Sequence, residues 1–154
     1  MKKTLCAAAL AAALGWGAAA QADDGVIRIG FITDMSGLSA DADGPGGAEA
    51  IKMAIADFGG SVAGKKIEVL VADHQNRADI ASSRAREWLD QKGVNMLIAG
   101  ANSAAALAMA KVAEEKKTPF FVVSAGASEL TNSQCTPYTA VSYTHLRAHE
   151  TPEH

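Results

Sequence analysis

An alternation constrains this chain more than any other feature. Short runs rich in β-branched and other apolar residues take turns with segments whose apolar residues recur at helical spacing. Val26–Thr33, Ile67–Ala72, Val94–Ala99 and Pro119–Ser124 have the length of strands. The first is apolar at nearly every position, as a strand covered on both faces is. Between them, Ala48–Phe58 places Ile51, Ala54, Ile55 and Phe58 on one helical stripe and stops at Gly59-Gly60. A second helix is expected from Asn76, read as an N-cap with Asp79 three residues on, to about Lys92. It buries Ala81, Ala85, Trp88 and Leu89, and Gly93 stops it. A third is expected over Ser103–Lys116, where Lys116 and Lys117 suit the dipole at its C-terminus. The order is β-α-β-α-β-α-β within one domain. Short connections between such strands imply an α/β fold, a parallel doubly wound sheet with helices on both faces.

Four loops that follow strands then converge on one edge of that sheet: Asp34–Gly46, Asp73–Asn76, Gly100–Ser103 and Ser124–Ser128. All four are built from small and polar residues. Ligands of open α/β sheets sit beyond the carboxyl ends of the strands, which is this edge. The third loop has the clearest chemistry. Val94–Ala99 breaks at Gly100-Ala101-Asn102, and Ser103 opens an alanine-rich helix. The first N–H groups of a helix lack intrahelical partners, and the dipole adds positive charge there, so the loop suits a carboxylate. The Asn102 amide and the Ser103 hydroxyl can hydrogen-bond at the same spot. The plainer alternative, that one of them caps the helix and binds nothing, stays open.

Several chemistries are excluded. Thr33-Asp34-Met35-Ser36-Gly37 stands where a dinucleotide fold carries G-x-G-x-x-G, and Gly44-Pro45-Gly46-Gly47 comes too late with the wrong spacing. Neither a P-loop nor a G-x-S-x-G elbow occurs. Asp34, Ser36, Asp73 and His74 can meet at one sheet edge and imitate a hydrolase set, but loop capping and ligand hydrogen bonding are the roles expected of them. The chain has 14 basic and 17 acidic residues and no basic cluster, which argues against nucleic acid. His145 and His149 have the i, i+4 spacing of metal ligands, but no glutamate follows His145 as in the protease pattern. No metal or cofactor is expected.

The chain opens as an address. Met1-Lys2-Lys3 is basic, Leu5–Ala20 is apolar, and Ala20-Gln21-Ala22 fits a signal-peptidase site. Residues 1–22 are therefore read as a secretory signal peptide that takes Cys6 with it. Cys135 is then left as a lone cysteine in an exported chain, with a partner elsewhere or as a free thiol.

The loop sequences resemble one family. Asp34-Met-Ser-Gly37, Gly44-Pro-Gly46 leading into Ala48–Ile55, Asp73-His-Gln-Asn76, the Asn102-Ser103 loop and Ser124-Ala-Gly-Ala-Ser-Glu-Leu-Thr131 carry the resemblance. It is to the type I periplasmic solute-binding proteins of ABC importers, of the branched-chain amino acid (Leu/Ile/Val) class. The resemblance implies that residues 23–140 form the incomplete N-terminal lobe of a two-lobed protein. That protein closes on a small solute, delivers it to an inner-membrane permease, and works as a periplasmic monomer without enzymatic activity. It also implies a set of ligand-binding residues. Ser103, with Asn102 beside it, matches the serine-rich loop that donates to a ligand carboxylate. Gly126 and Ser128, with Ala127 between them, match the turn that supplies a backbone group and a hydroxyl, serine standing for threonine. Ser36 and His74 belong to the loops of that edge. The segment Leu38–Gly44 lines the cleft mouth, where this chain has Ala40, Asp41, Ala42 and Asp43 rather than an aromatic. That leaves room for an aromatic acid, an amide or urea as well as an amino acid. The same fold coupled to a receptor, as an exported ligand sensor, is the alternative function. Beyond Ala140 the pattern stops, and residues 141–154 resemble translated sequencing-adapter read-through. They are expected not to be biological.

Overall fold

A computed structural model of the chain describes residues 25–142. The expected signal peptide, the tail beyond residue 142 and the pair His145 and His149 lie outside the described residues. The elements are β1 (Val26–Thr33), α1 (Ala40–Asp43), α2 (Pro45–Asp57), β2 (Ser61–Val62), β3 (Lys65–Asp73), α3 (Ala78–Gln91), β4 (Val94–Ala99), α4 (Ser103–Lys116), β5 (Phe120–Val122) and β6 (Thr139–Val141). A single turn of 3-10 helix, Ser128–Leu130, precedes β6.

The strands form one sheet in the order β2-β3-β1-β4-β5-β6. Every pairing is parallel except β2 with β3, a short antiparallel hairpin. The chain steps from β1 to β3 on one side, then crosses over β1 to β4 and continues outward. Right-handed crossovers taken in opposite directions put their helices on opposite faces. Accordingly α2 lies on one face while α3 and α4 pack together on the other.

The α3–α4 side holds the core. Ile32, Leu97, Ala99, Phe120 and Val122 from the sheet meet Ala81, Ala85 and Trp88 of α3 and Ala106, Met109 and Ala113 of α4. Alanines along α4 let its backbone approach closely. At Gly30 the approach is closer still, because a Cβ there would stand 2.8 Å from the Trp88 ring. Asn102 caps α4 by accepting the Ala105 N–H at 2.7 Å, and Lys117 ends it in the left-handed conformation at φ 53°. On the other face α2 buries Ala48, and Phe31 is packed beside Gly47. The rest of the α2 stripe is only partly covered: Ile51 and Ile55 are half-buried, Ala54 is exposed, and Phe58, at the C-terminus, is 67% accessible.

The structure departs from the sequence reading at five points. A sixth strand, β6, stands beside β5 where no strand is expected, and its last residue, Val141, lies past the boundary drawn at Ala140. α2 starts at Pro45, three residues early, because proline suits the first helical position, where no N–H bond is lost. The Asp34–Gly47 segment, expected as loop, contains the single turn α1. Gly59 and Gly60 stop α2 as expected, but the hairpin strand β2 follows them where no element is expected, its turn made by Ala63 and Gly64 at positive φ. Asn76 does not cap α3. Arg77 occupies the cap without a side-chain bond, and Asn76 sits at φ 57° with its N–H given to His74.

Candidate functional site

The carboxyl ends of β1, β3, β4 and β5 meet at one edge, and their loops are tied together by side chains from below. Asp34, buried just past β1, accepts the N–H groups of Gly37 and Ser39, each at 2.9 Å, and so folds the loop that leads into α1. Asp43, at the end of α1, is buried as well. One of its oxygens accepts the Thr33 hydroxyl at 2.9 Å, while Oδ2 has no partner among the described residues. Its carboxylate lies against Gly100, where a Cβ would overlap both Asp43 and Thr33. Only glycine lets the strand-end backbone pass there.

The β3 loop is the second tie. The Asp73 carboxylate accepts from Ser36 Oγ at 2.6 Å, from Gln75 N at 2.7 Å and from Met35 N at 3.1 Å. Burial acts to raise its pKa, but these three donors outweigh it and hold the carboxyl below its ordinary range. His74 is 1% exposed, its N–H given to Thr33 and its carbonyl accepting from Arg77. Its Nδ1 accepts the Asn76 N–H at 3.0 Å, so the neutral ring carries its proton on Nε2. Burial lowers the imidazole pKa, against the opposing pull of Asp34, Asp73 and Asp43. From Asn76 a side-chain bond crosses to the β4 loop, where Asn102 Nδ2 donates to Asn76 Oδ1.

Asn102 is thereby committed on both sides, to Ala105 N and to Asn76. Ser103 is not: its half-buried hydroxyl has no partner among the described residues. In the β5 loop Gly126 is exposed, Ala127 half-buried and Ser128 exposed at the start of the 3-10 turn, which Leu130 anchors in the core. β5 continues the edge, since Val123 N donates to Ala99 O at 3.0 Å. Ser36 and Asp41 are exposed in the β1 loop and α1. No group of three potential metal ligands occurs among the described residues.

Residues 26–150 match the model of the periplasmic binding protein family. The chain belongs to that family.

This periplasmic binding protein is similar in structure to several solved ones. A periplasmic binding protein from Burkholderia mallei is 64% identical, with a TM-score of 0.74 over 75% of this chain and 31% of that one. A branched-chain amino acid ABC transporter periplasmic ligand-binding protein from Burkholderia xenovorans LB400 is 37% identical, with a TM-score of 0.70 over 73% and 30%. An ABC transporter solute-binding protein from Rhodopseudomonas palustris BisB5, solved with 3,4-dihydroxybenzoic acid, is 34% identical, with a TM-score of 0.68 over 77% and 32%. The chain thus spans about a third of the length of these proteins. No curated protein is matched. The type I fold and the solute-binding family are those the loop sequences resemble, and the family is one of binding proteins rather than enzymes.

Sequence reasoning missed three residues of this edge. Asp43 reads as an exposed loop acid, and only the turn α1 folds it inward. Gly100 reads as a strand breaker, whereas its role is to make room for Asp43. Asn76 reads as a helix cap, and no local signal shows that its amide is claimed by His74 and its side chain by Asn102.

Proposed function

We propose that this chain supplies the first lobe of the solute-binding component of an ABC importer, and that the carboxyl edge of its sheet receives the carboxylate of a small solute. Ser103 carries the reading. Its hydroxyl is unpartnered among the described residues, beside the Ser103 and Ala104 N–H groups that a helix start leaves without intrahelical bonds. Asn102 already makes the cap, so Ser103 is not needed for it. Gly126 and Ser128 supply a second set of groups at the same edge. Asn102, Ala127, Ser36, Asp41 and His74 complete or support the lining.

Among solutes the reading favours an aromatic carboxylate. Small and acidic side chains at residues 40–42 leave space at the mouth, Asp43 being folded inward, and the 34% identical relative was solved with 3,4-dihydroxybenzoic acid. Residues 1–22 direct export to the periplasm, and the full-length monomer hands its solute to an inner-membrane permease. The reading of residues 141–154 as foreign to the lobe has two observations against it: Val141 of β6 pairs with Val122, and the family match runs to residue 150. Sequencing the source locus across codon 140 tests that point, and finding these codons there would refute it.

The functional test is titration calorimetry of the full-length protein with 3,4-dihydroxybenzoate, 4-hydroxybenzoate, leucine and acetamide. An aromatic acid is expected to bind most tightly. Ser103→Ala should weaken that binding about 10-fold or more, the worth of a hydrogen bond to a charged group. Unchanged binding in Ser103→Ala would remove the carboxylate from this edge. Leucine binding more tightly than both benzoates would replace the solute class.

A further inference from the structure

We propose that His74 is a positioning residue: through Asn76 and Asn102 it sets where the first turn of α4 presents Ser103. The inference rests on the reading of Ser103 as a solute contact. His74 is 1% exposed, so it acts through its neighbours rather than by touching the solute.

Each link of the chain is a specific atom pair. Gln75 and Asn76 both have left-handed backbone, at φ 52° and 57°, a conformation that ordinary residues adopt only when their surroundings hold them there. Two side chains do so. Asp73 Oδ1 takes the Gln75 N–H at 2.7 Å, and His74 Nδ1 takes the Asn76 N–H at 3.0 Å. Held in this way, Asn76 offers its Oδ1 to Asn102 Nδ2. The other end of that amide is fixed, because Asn102 Oδ1 accepts the Ala105 N–H at 2.7 Å. An amide engaged at both ends has one orientation and one position. The main chain that carries the ring is itself anchored by bonds from His74 N to Thr33 O and from Arg77 N to His74 O, each 2.9 Å. A displacement of Nδ1 therefore passes through Asn76 to the residue that precedes Ser103.

Protonation breaks the first link. An imidazolium carries a hydrogen on Nδ1, and Nδ1 then cannot accept from Asn76. The charged groups facing the ring are Asp34 from the β1 loop, Asp43 from α1 and Asp73 from the end of β3, all of which favour the cation. Burial keeps the ring neutral at neutral pH.

The experiment uses the full-length protein and 4-hydroxybenzoate as the probe. His74→Gln puts its polar end near the position of Nε2 and leaves the Asn76 N–H without an acceptor, so affinity should fall about 10-fold near neutral pH. His74→Asn restores an acceptor near the position of Nδ1 and should stay within about threefold of wild type. Wild-type affinity should be flat from about pH 8 down to the ordinary imidazole value of about 6.5 and weaken below it, while His74→Asn stays flat. Asn76→Gly, at an exposed site, keeps the backbone conformation and the N–H but removes the Oδ1 link, and should reproduce the loss seen in His74→Gln. Wild-type affinity in either His74→Gln or Asn76→Gly overturns the inference, as does equal weakness of His74→Asn and His74→Gln. Should His74→Gln fail to fold, Asn76→Gly decides. Should wild type bind none of the carboxylates, the solute reading fails and nitrogen-15 NMR decides the inference alone. Shifts of the Asn102 side-chain amide and the Ser103 N–H in Asn76→Gly support it. Shifts confined to residues 73–77 overturn it.

Discussion

Two neighbouring rows of the sheet, one residue apart, meet different fates. Ile32, Ala99 and Val122 are in register across β1, β4 and β5 on the side of α3 and α4, and all three are buried. Phe31, Ile98 and Phe121 are in register across the same strands on the side of α2. Phe31 is buried, Ile98 is half-buried, and Phe121 is 42% exposed. The strands are the same and the side chains equally apolar. What differs is the cover, since α3 and α4 span one face while α2 reaches only the β1–β3 half of the other. A strand that is apolar at successive positions states a need for cover on both sides; the helices decide whether the need is met.

The sharpest test of this contrast is a pair of adjacent phenylalanines. Phe120→Ala should cost about 3–5 kcal/mol, because a fully buried ring leaves a cavity among Leu97, Met109 and their neighbours. Chemical denaturation of the folded protein measures it, and a loss below that of Phe121→Ala would erase the distinction between faces. Next in size is overpacking. Ala110→Leu should destabilise by about 1–3 kcal/mol, since α4 lies flush on the sheet, whereas Ala54→Leu on the exposed side of α2 should change little.

Acid discriminates both faces from the strand-end edge. The α3–α4 core cluster is apolar and does not titrate, whereas at the strand-end edge His74 and Asp73 both contribute stability that is lost with falling pH. The folded protein holds the His74 pKa below its ordinary value, so the unfolded chain takes up that proton first. This contribution is complete above about pH 6.5 and declines as the pH falls from there toward the folded value. Asp73 is also depressed, and its contribution, present above about pH 3.9, is lost as the pH falls through its folded value. Thermal melts against pH should show the upper limb flattened in His74→Asn and the lower limb flattened in Asp73→Asn. The smallest expected effect is that of Phe121→Ser, within about 1 kcal/mol in the isolated chain, accompanied by weaker self-association in sedimentation.

Much of the fold is legible because local signals agree. Val26–Thr33, Val94–Ala99 and Ser103–Lys116 have the bounds their composition predicts, each a short, mostly apolar run or a capped alanine-rich helix with one stable local answer. The hairpin strand β2 is not legible, because a strand of two residues in the three between Gly60 and Gly64 carries no period. The exposure of Phe58 is not legible either. Its spacing belongs to a helical stripe, but spacing does not reveal how much sheet lies beneath the helix. At the strand-end edge, residue types were readable and commitments were not. Ser103 and Asn102 are both small polar residues at a helix start, and only coordinates distinguish the amide that is spoken for from the hydroxyl that is free.

The antiparallel β2 covers only one end of the sheet's rim. It pairs with Lys65 and Lys66 alone, at the start of the nine-residue β3. From Glu68 to Asp73 the outer backbone of β3 has no strand partner among the described residues, and such a row is a template for a foreign strand. Clustering of the isolated lobe should therefore have two routes, strand addition along β3 and contact through the bare phenylalanine face. A proline placed in that stretch of β3 should suppress the first alone.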